Sequence, residues 1–458
     1  MEAAQWSHEE DCSLVNGEKK RSDRKTHKRR SKVTVLKGLL PGEDSIRIAA
    51  KQALQQFGEA LDEPVQVVDL GNVINQIELW RKYLPHVRPH YAVKCCPDKQ
   101  VIKQLLEGGC GFDCATMQEI NTVLALGVSP QDIVYSHPCK PRSHIAFAKS
   151  QGISLMSFDN DVELRKVAAV YPEAQLLLRV VCEDSTAQCP MSLKFGAKSG
   201  TWKELLRMIQ ELKLNLAGVS FHVGSGCKDP ESFETALTDA KEVFRLAKEQ
   251  GMEALRVLDI GGGYPGDRAG FEAIAPSIAE KLARLFPPSE YPELTIISEP
   301  GRFFAAQTAH LLTKAYAKAK LPATDGTNEQ VCRYYLNDGL YGSFNCIIYD
   351  HVSVHPEPLM SEGRPEVPCA LFGPTCDGFD VILEKHMMPE VEEGEWILWR
   401  NMGAYTSAAG CNFNGFPLAK AWYYRVAAYD QSVEKETASI AHVSSILDVV
   451  TTTTQASE

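Results

Sequence analysis

Between residues 91 and 302 the sequence repeatedly closes a short apolar run with a charged residue, a histidine or glycines. Lys94, Asp113, His137, Asp159, Arg179, His222, Gly261–Gly263 and Glu299 with Arg302 all stand at or near such an end. Charged side chains are seldom fully buried unless paired, so this recurrence predicts a shared polar site. Lys94 lies in YAVKC between Val93 and Cys95. An ammonium among apolar neighbours readily loses its proton, as a Schiff-base amine must; taken alone, the residue also fits a lysine snorkelling from a strand end. Gly261–Gly263 follow LDI directly, and consecutive glycines let backbone N–H groups approach a phosphate. Ser225 in FHVGSG and Arg302 in EPGR add a hydroxyl and a guanidinium. Glu299 closes TIISE, a run too apolar to solvate a carboxylate. It therefore calls for a cation, either Arg302 or a protonated ring nitrogen on a cofactor. His222 by itself reads as a core histidine.

The runs that carry these residues are YAVKC, CGFDCA, IVYSH, LMSFD, LLLRVV, AGVSFH, RVLDI and TIISE. Between them lie segments such as KQVIKQLLEGG, MQEINTVLALG and WKELLRMIQELKL, with apolar residues three and four apart and glycine at many of the ends, the pattern of amphipathic helices. Eight such units predict an α/β fold, a closed (β/α)8 barrel, with chemistry at the carboxyl ends of the strands. The alternative is an open doubly wound sheet, which would usually carry GxGxxG after its first strand; YAVKCCPDK has none. A lysine, a phosphate cradle, a carboxylate and a flat imidazole on one rim make a pyridoxal-phosphate site. Beyond residue 302 the runs AHLLTKAYAKA, CRYYLND, CALFG, EWILWR and AWYYRVAAY are aromatic and β-branched, which predicts a β-sheet or small β-barrel domain. VTVLKGLL and PVQVVDL precede the barrel and are expected to add strands to the β domain. The expected organisation is a basic tail at 1–32, strands of the β domain at 33–70, the barrel at 71–302, the β domain at 303–430 and a tail at 431–458.

The chain has 458 residues and a formal net charge of −11. Phosphate repels an acidic chain, which argues against general nucleic-acid binding. Lys19 to Lys32 nevertheless holds nine basic residues and one acid, read as a solvated tail or as a contact for an anionic surface. No apolar run approaches the ~18–20 residues that span a bilayer, and the amino terminus lacks the apolar stretch of a secretory signal. Fourteen scattered cysteines suggest reduced thiols in a cytoplasmic chain. The adjacent Cys95 and Cys96, with no CxxC pair, argue against zinc.

The motifs RPHYAVKC, FDCAT, HPCKP, CPMSLKFGA, SFHVGSG, LDIGGGYPG, SEPGRFF, NDGLYGSFNCIIYDH, FGPTCDGFD, NMGAYT and FNGF follow one another in the order of the eukaryotic ornithine decarboxylase family. These are alanine-racemase-like (fold III) pyridoxal-phosphate enzymes, which the chain resembles from about residue 40 to about residue 430. The resemblance implies that Lys94 forms the Schiff base and that His222 stacks on the cofactor. It places Asp113, Arg179, Ser225, Gly262, Glu299, Pro300, Gly301, Arg302 and Tyr405 around pyridoxal 5'-phosphate, with Ser225, Gly262, Arg302 and Tyr405 on the phosphate side. It implies that Tyr349, Asp350 and Asp377 receive the substrate and that Cys376 hands a proton to the α-carbon after CO2 leaves. It further implies a homodimer whose sites are shared, with Cys376 and Asp377 reaching in from the second subunit. The expected activity is decarboxylation of ornithine to putrescine. Two rivals remain: a non-catalytic regulator like the antizyme inhibitors, and a decarboxylase of lysine, arginine or diaminopimelate. The segment KPRSHIAFAKSQGISLMSFDNDVE aligns with the family's antizyme-binding region, which makes antizyme a possible partner.

Overall fold

A computed structural model describes residues 33–40, 43–252, 255–322 and 330–427. The tails expected at 1–32 and 431–458 lie outside the described residues. Two short strands come first, β1 (Val33–Leu36) and β2 (Val65–Asp69). Eight parallel strands then close into a barrel: β3 (Val87–Ala92), β4 (Gly111–Cys114), β5 (Ile133–Tyr135), β6 (Leu155–Phe158), β7 (Gln175–Arg179), β8 (Asn215–Ser220), β9 (Val257–Asp259) and β10 (Thr295–Ser298). They run in sequence order, and β10 returns to β3 with Ile297 opposite Arg88. Polar caps start the helices that follow these strands. Asp98 accepts from Gln100 and Val101, Thr116 from Glu119, Asn160 from Glu163 and Asp267 from Gly270, each satisfying an orphan N–H of a first turn.

One boundary is corrected. The first barrel strand begins at Val87 and ends at Ala92, and Lys94 occupies a 3-10 turn, Val93–Cys95, rather than the strand itself. Arg88 and Pro89 interrupt the apolar pattern and hide the first half of that strand. The turn starts where the Ala92 N–H donates to the Pro300 carbonyl.

A second sheet contains β11 (Ala309–Pro322), β12 (Gln330–Leu336), β13 (Pro356–Pro358), β14 (Glu366–Phe372), β15 (Val381–Pro389), β16 (Trp396–Trp399) and β17 (Lys420–Val426). Its order is β1-β17-β2-β11-β12-β14-β15, with β16 between β11 and β13. Strand β17 lies between β1 and β2, parallel to both. Among the elements not expected from the sequence are the helix Ser45–Phe57, β13, β15 and the short helix Asn345–Tyr349. In β15 only Ile382 and Met388 are buried. It pairs with β14 alone, and an edge strand with one wet face carries too little apolar signal to stand out.

Trp80, on the helix Leu70–Tyr83, packs against Tyr264, Phe271, Phe303 and Phe304, with ring centroids 5.0–6.1 Å apart. Gln76 donates to the Phe303 carbonyl at 2.6 Å. This cluster anchors the short helix Arg302–Ala305 and so fixes the backbone from which Arg302 projects. Among the bonds that tie the second sheet to the barrel, Tyr423 Oη donates to Asp98 at 2.7 Å, and the Tyr405 N–H to the Cys95 carbonyl at 2.9 Å. Among the described residues no helix is long and apolar enough to cross a membrane.

Candidate active site

Ala92 and Asp113 are register partners on β3 and β4, so the turn after β3 sets Lys94 beside Asp113. Lys94 Nζ donates to Asp113 Oδ2. Asp113 is 1% exposed, and its Oδ1 has no hydrogen-bond partner among the described residues. Burial opposes the Lys94 charge, but the carboxylates of Asp113 and Glu299 outweigh it and push its pKa above the ordinary lysine value. This overturns the expectation of a lysine among apolar neighbours that sheds its proton: the turn faces acids.

Glu299 follows β10 and is buried. Its partner is the Ser136 hydroxyl, not Arg302. Burial, then the Asp113 charge, raise its pKa to about 7. Asp259 ends β9, where it is opposite Ile297 of β10, and is 1% exposed. Burial first, and then Glu299, raise its pKa well above the usual range. Two buried carboxyls in hydrogen-bonding contact hold a proton between them, because both cannot ionise cheaply. The sequence reading passed over Ser136 and Asp259. The signal for Asp259 was present, as an acid inside the apolar run RVLDI.

His222 accepts the Gly224 N–H at Nδ1, 3.1 Å. Burial, then Arg179 and Lys94, depress its pKa well below 6.5, so the imidazole is neutral. The glycine triplet is held against this end of β8. Gly261 has φ +63°, and a Cβ there would collide with the Phe221 carbonyl. At Gly262 a Cβ would stand 2.8 Å from His222 Nε2 and 2.6 Å from the Glu299 carbonyl, so any side chain would fill the space beside the imidazole. Arg179 lies over the Phe195 ring, 5.1 Å from its centroid.

Arg302 meets Ser225 and Asp350. Nη2 donates to Ser225 Oγ at 2.8 Å and to Asp350 Oδ1 at 2.5 Å, while Nη1 donates to Asp350 Oδ2 at 2.7 Å. Nε is buried without a partner among the described residues. The guanidinium lies 5.1 Å from the Tyr405 ring centroid, and Tyr405 adopts φ +53°, a strained conformation of the kind found at functional sites. Gly301 packs against Ala92, Cys95 and the Tyr405 hydroxyl. Arg302 also borders a cavity of about 410 Å³ shared with Gln188, Lys228 and His351. Cys189 and Gln188, unremarked in the sequence, reach Asp350: Cys189 Sγ is 3.5 Å from Oδ1, and Gln188 donates to the backbone carbonyl.

Cys376 and Asp377 are not brought to this cluster within the chain. They occupy the loop between β14 and β15, where Asn414 accepts the Cys376 N–H at 2.9 Å and the Tyr341 hydroxyl donates to Asp377. That hydroxyl holds the Asp377 carboxyl below its usual range. Cys376 is exposed, and Tyr349 is 70% exposed.

A buried ion pair supports the loop after β5. Lys140 and Glu163 are both fully buried and 2.9 Å apart. Lys140 Nζ also donates to the carbonyls of His137 at 3.0 Å and Ser157 at 2.6 Å. It ties the ends of β5 and β6 to the helix Asp161–Val170, four residues from the Ser136 that meets Glu299.

Residues 70–306 match the family described as pyridoxal-dependent decarboxylase, pyridoxal binding domain. Antizyme inhibitor 2 of Xenopus laevis is 44% identical over 369 residues, 78% of this chain and 80% of that protein. Ornithine decarboxylase of Rattus norvegicus is 44% identical over 370 residues, 78% of this chain and 79% of that one. The solved lysine/ornithine decarboxylase from Vibrio vulnificus, complexed with putrescine, superimposes with a TM-score of 0.72 at 31% identity, covering 82% of this chain and 97% of that one.

Proposed function

The chain belongs to the pyridoxal-dependent decarboxylases, and from that premise we propose that it decarboxylates L-ornithine to putrescine, the opening step of polyamine biosynthesis. Its cofactor is pyridoxal 5'-phosphate, and the residues present fit it. Asp113 Oδ1 and Arg302 Nε are buried polar atoms without partners among the described residues, and Gly262 leaves room beside His222 that any Cβ would take. When bound, the cofactor supplies a conjugated cationic ring that accepts the electrons of the breaking Cα–carboxylate bond.

The chain's own residues have separable tasks in this reading. Lys94 would supply the amine that attaches the cofactor, and Asp113 holds that amine in position. His222, neutral and flat, covers one face of the ring. Glu299, with Ser136 and Asp259 behind it, holds a proton at the ring nitrogen. Ser225, Gly262, Arg302 and Tyr405 would hold the phosphate, with Pro300 and Gly301 beside them around the cofactor, and Arg179 lies on the side of His222. Asp350, beside Tyr349, takes the distal ammonium together with Asp377 of a second subunit, and Cys376 of that subunit protonates Cα. The exposed position of the Cys376–Asp377 loop supports a homodimer with shared sites, and the thirteen free cysteines among the described residues fit a cytoplasmic setting.

The observation that carries this reading is the convergence of Lys94, Asp113, Glu299, His222 and Arg302 at one end of the barrel, with Asp350 on its edge. A catalytically silent binder of antizyme is the second reading, favoured by the equal identity to antizyme inhibitor 2. A binder has no need of a charged lysine set against buried acids. Discrimination against lysine is expected to be modest, since one methylene is worth about 1–3 kcal/mol. The test is release of labelled CO2 from carboxyl-labelled ornithine by the full chain with pyridoxal phosphate. Cofactor binding without CO2 release, accompanied by capture of antizyme, would establish the regulator instead.

A further inference from the structure

Asp350 and Arg302 are each assigned to a different ligand in the reading above, yet they are bonded to one another. A guanidinium has five N–H donors. Arg302 commits two to Asp350 and one to Ser225, and Nε has no partner among the described residues. The side chains are only 11% and 6% exposed, so solvent screens the pair weakly. Cys189 and Gln188 fix Asp350 from the other side. An amine approaching Asp350 thus meets a carboxylate whose charge is already balanced.

We propose that Arg302 is a specificity-determining link between the phosphate end and the amine end of the site: a phosphate that draws the Arg302 charge frees Asp350 to bind the primary ammonium of a diamine or diamino acid. This rests on the proposed function and deepens it. A two-pronged ion pair is among the stronger polar contacts a protein makes. A phosphate dianion competes for the guanidinium through its unused donors. Loosened from Arg302, Asp350 regains the negative potential that an ammonium seeks. Because this is a coupling between two binding equilibria, it must act equally in both directions. Phosphate and ammonium also attract one another directly through space, and a variant has to separate the two contributions.

The experiment is calorimetric titration of the full-length protein, stripped of cofactor, with putrescine. It is done in inorganic phosphate and in chloride of equal ionic strength, then with pyridoxal phosphate against phosphate-free pyridoxal. Putrescine should bind on the order of ten-fold more tightly with phosphate present, and putrescine should tighten phosphate by the same factor. Asp350→Asn should bind phosphate more tightly than the parent and lose most of the coupling. Arg302→Lys, which keeps the charge but not the two-pronged grip, should lose it as well and serves if the first variant does not fold. A parent protein without coupling, or ten-fold coupling retained in both variants, would overturn the link. If CO2 is still released from ornithine, that failure leaves the proposed function standing. A protein that binds neither putrescine nor pyridoxal phosphate would remove both.

Discussion

The Lys94 ammonium rests on one oxygen of Asp113, while the other oxygen of that carboxylate is buried and unbonded among the described residues. The carboxylate therefore favours the charged form of the amine. Asp113→Asn should shift the pH dependence of covalent cofactor capture to lower pH, because the neighbour that holds the charge is gone. Lys94→Ala should abolish capture. Borohydride trapping followed by mass measurement of the chain reads both.

Glu299 gives a pH signature. With a folded pKa of about 7 against an ordinary 4.5, the folded protein keeps a proton that the unfolded chain has released. Between those values its contribution to stability therefore falls as pH rises. Buried His90, held down to about 4 by burial, acts in the opposite sense, with stability lost as pH falls from 6.5. The variant difference isolates Glu299: Glu299→Gln should gain stability relative to the parent as pH climbs from 4.5 to 7, measured by urea midpoints on cofactor-free protein.

Asp377→Ala removes one of two carboxylates assigned to the distal ammonium. A hydrogen bond to a charged group contributes about 1.5–3 kcal/mol, so KM for ornithine should rise roughly 10- to 100-fold, with a smaller change in kcat. Steady-state kinetics decide this, and an unchanged KM rejects the assignment.

Lys94 and Cys376 lie on separate parts of the chain and would meet only across a dimer. Mixed inactive Lys94→Ala and Cys376→Ala chains should recover activity up to about a quarter of the parent's, since half the dimers are hybrids with one intact site in two. Activity of the mixture against each variant alone is the measurement.

Lys140→Met alone should destabilise the fold by about 1–3 kcal/mol, because buried Glu163 loses one of its two lysine partners and keeps only Lys166. Adding Glu163→Leu should restore most of the loss. Denaturant unfolding of the single and double variants gives the comparison.

The barrel was legible because each strand ends its apolar run at a polar residue and each helix repeats its apolar positions at three and four. Of the polar ends of those runs, Lys94 and Asp113 are bonded to one another, and Glu299 lies close enough to raise the Lys94 pKa. What the linear pattern could not carry was pairing. Arg302 was weighed as a partner of Glu299, whereas 48 residues further on Asp350 takes it and Ser136, from across the barrel, takes Glu299. Such choices depend on which strand ends become neighbours after closure. Lys94 was misread for a related reason: Val93 and Cys95 are its neighbours in sequence, but Asp113 is its neighbour in space. Strand β15 escaped notice because an edge strand has only one face to bury.

Strand β17 sits between β1 and β2 and forms the ladder β1 depends on. A chain leaves the ribosome amino end first, so those two early strands must wait through synthesis of the whole barrel for the strand that joins them. Until then their ladder edges stay open, a hazard for the nascent polypeptide. Deleting Lys420–Val426 should accordingly harm solubility well out of proportion to the seven residues lost.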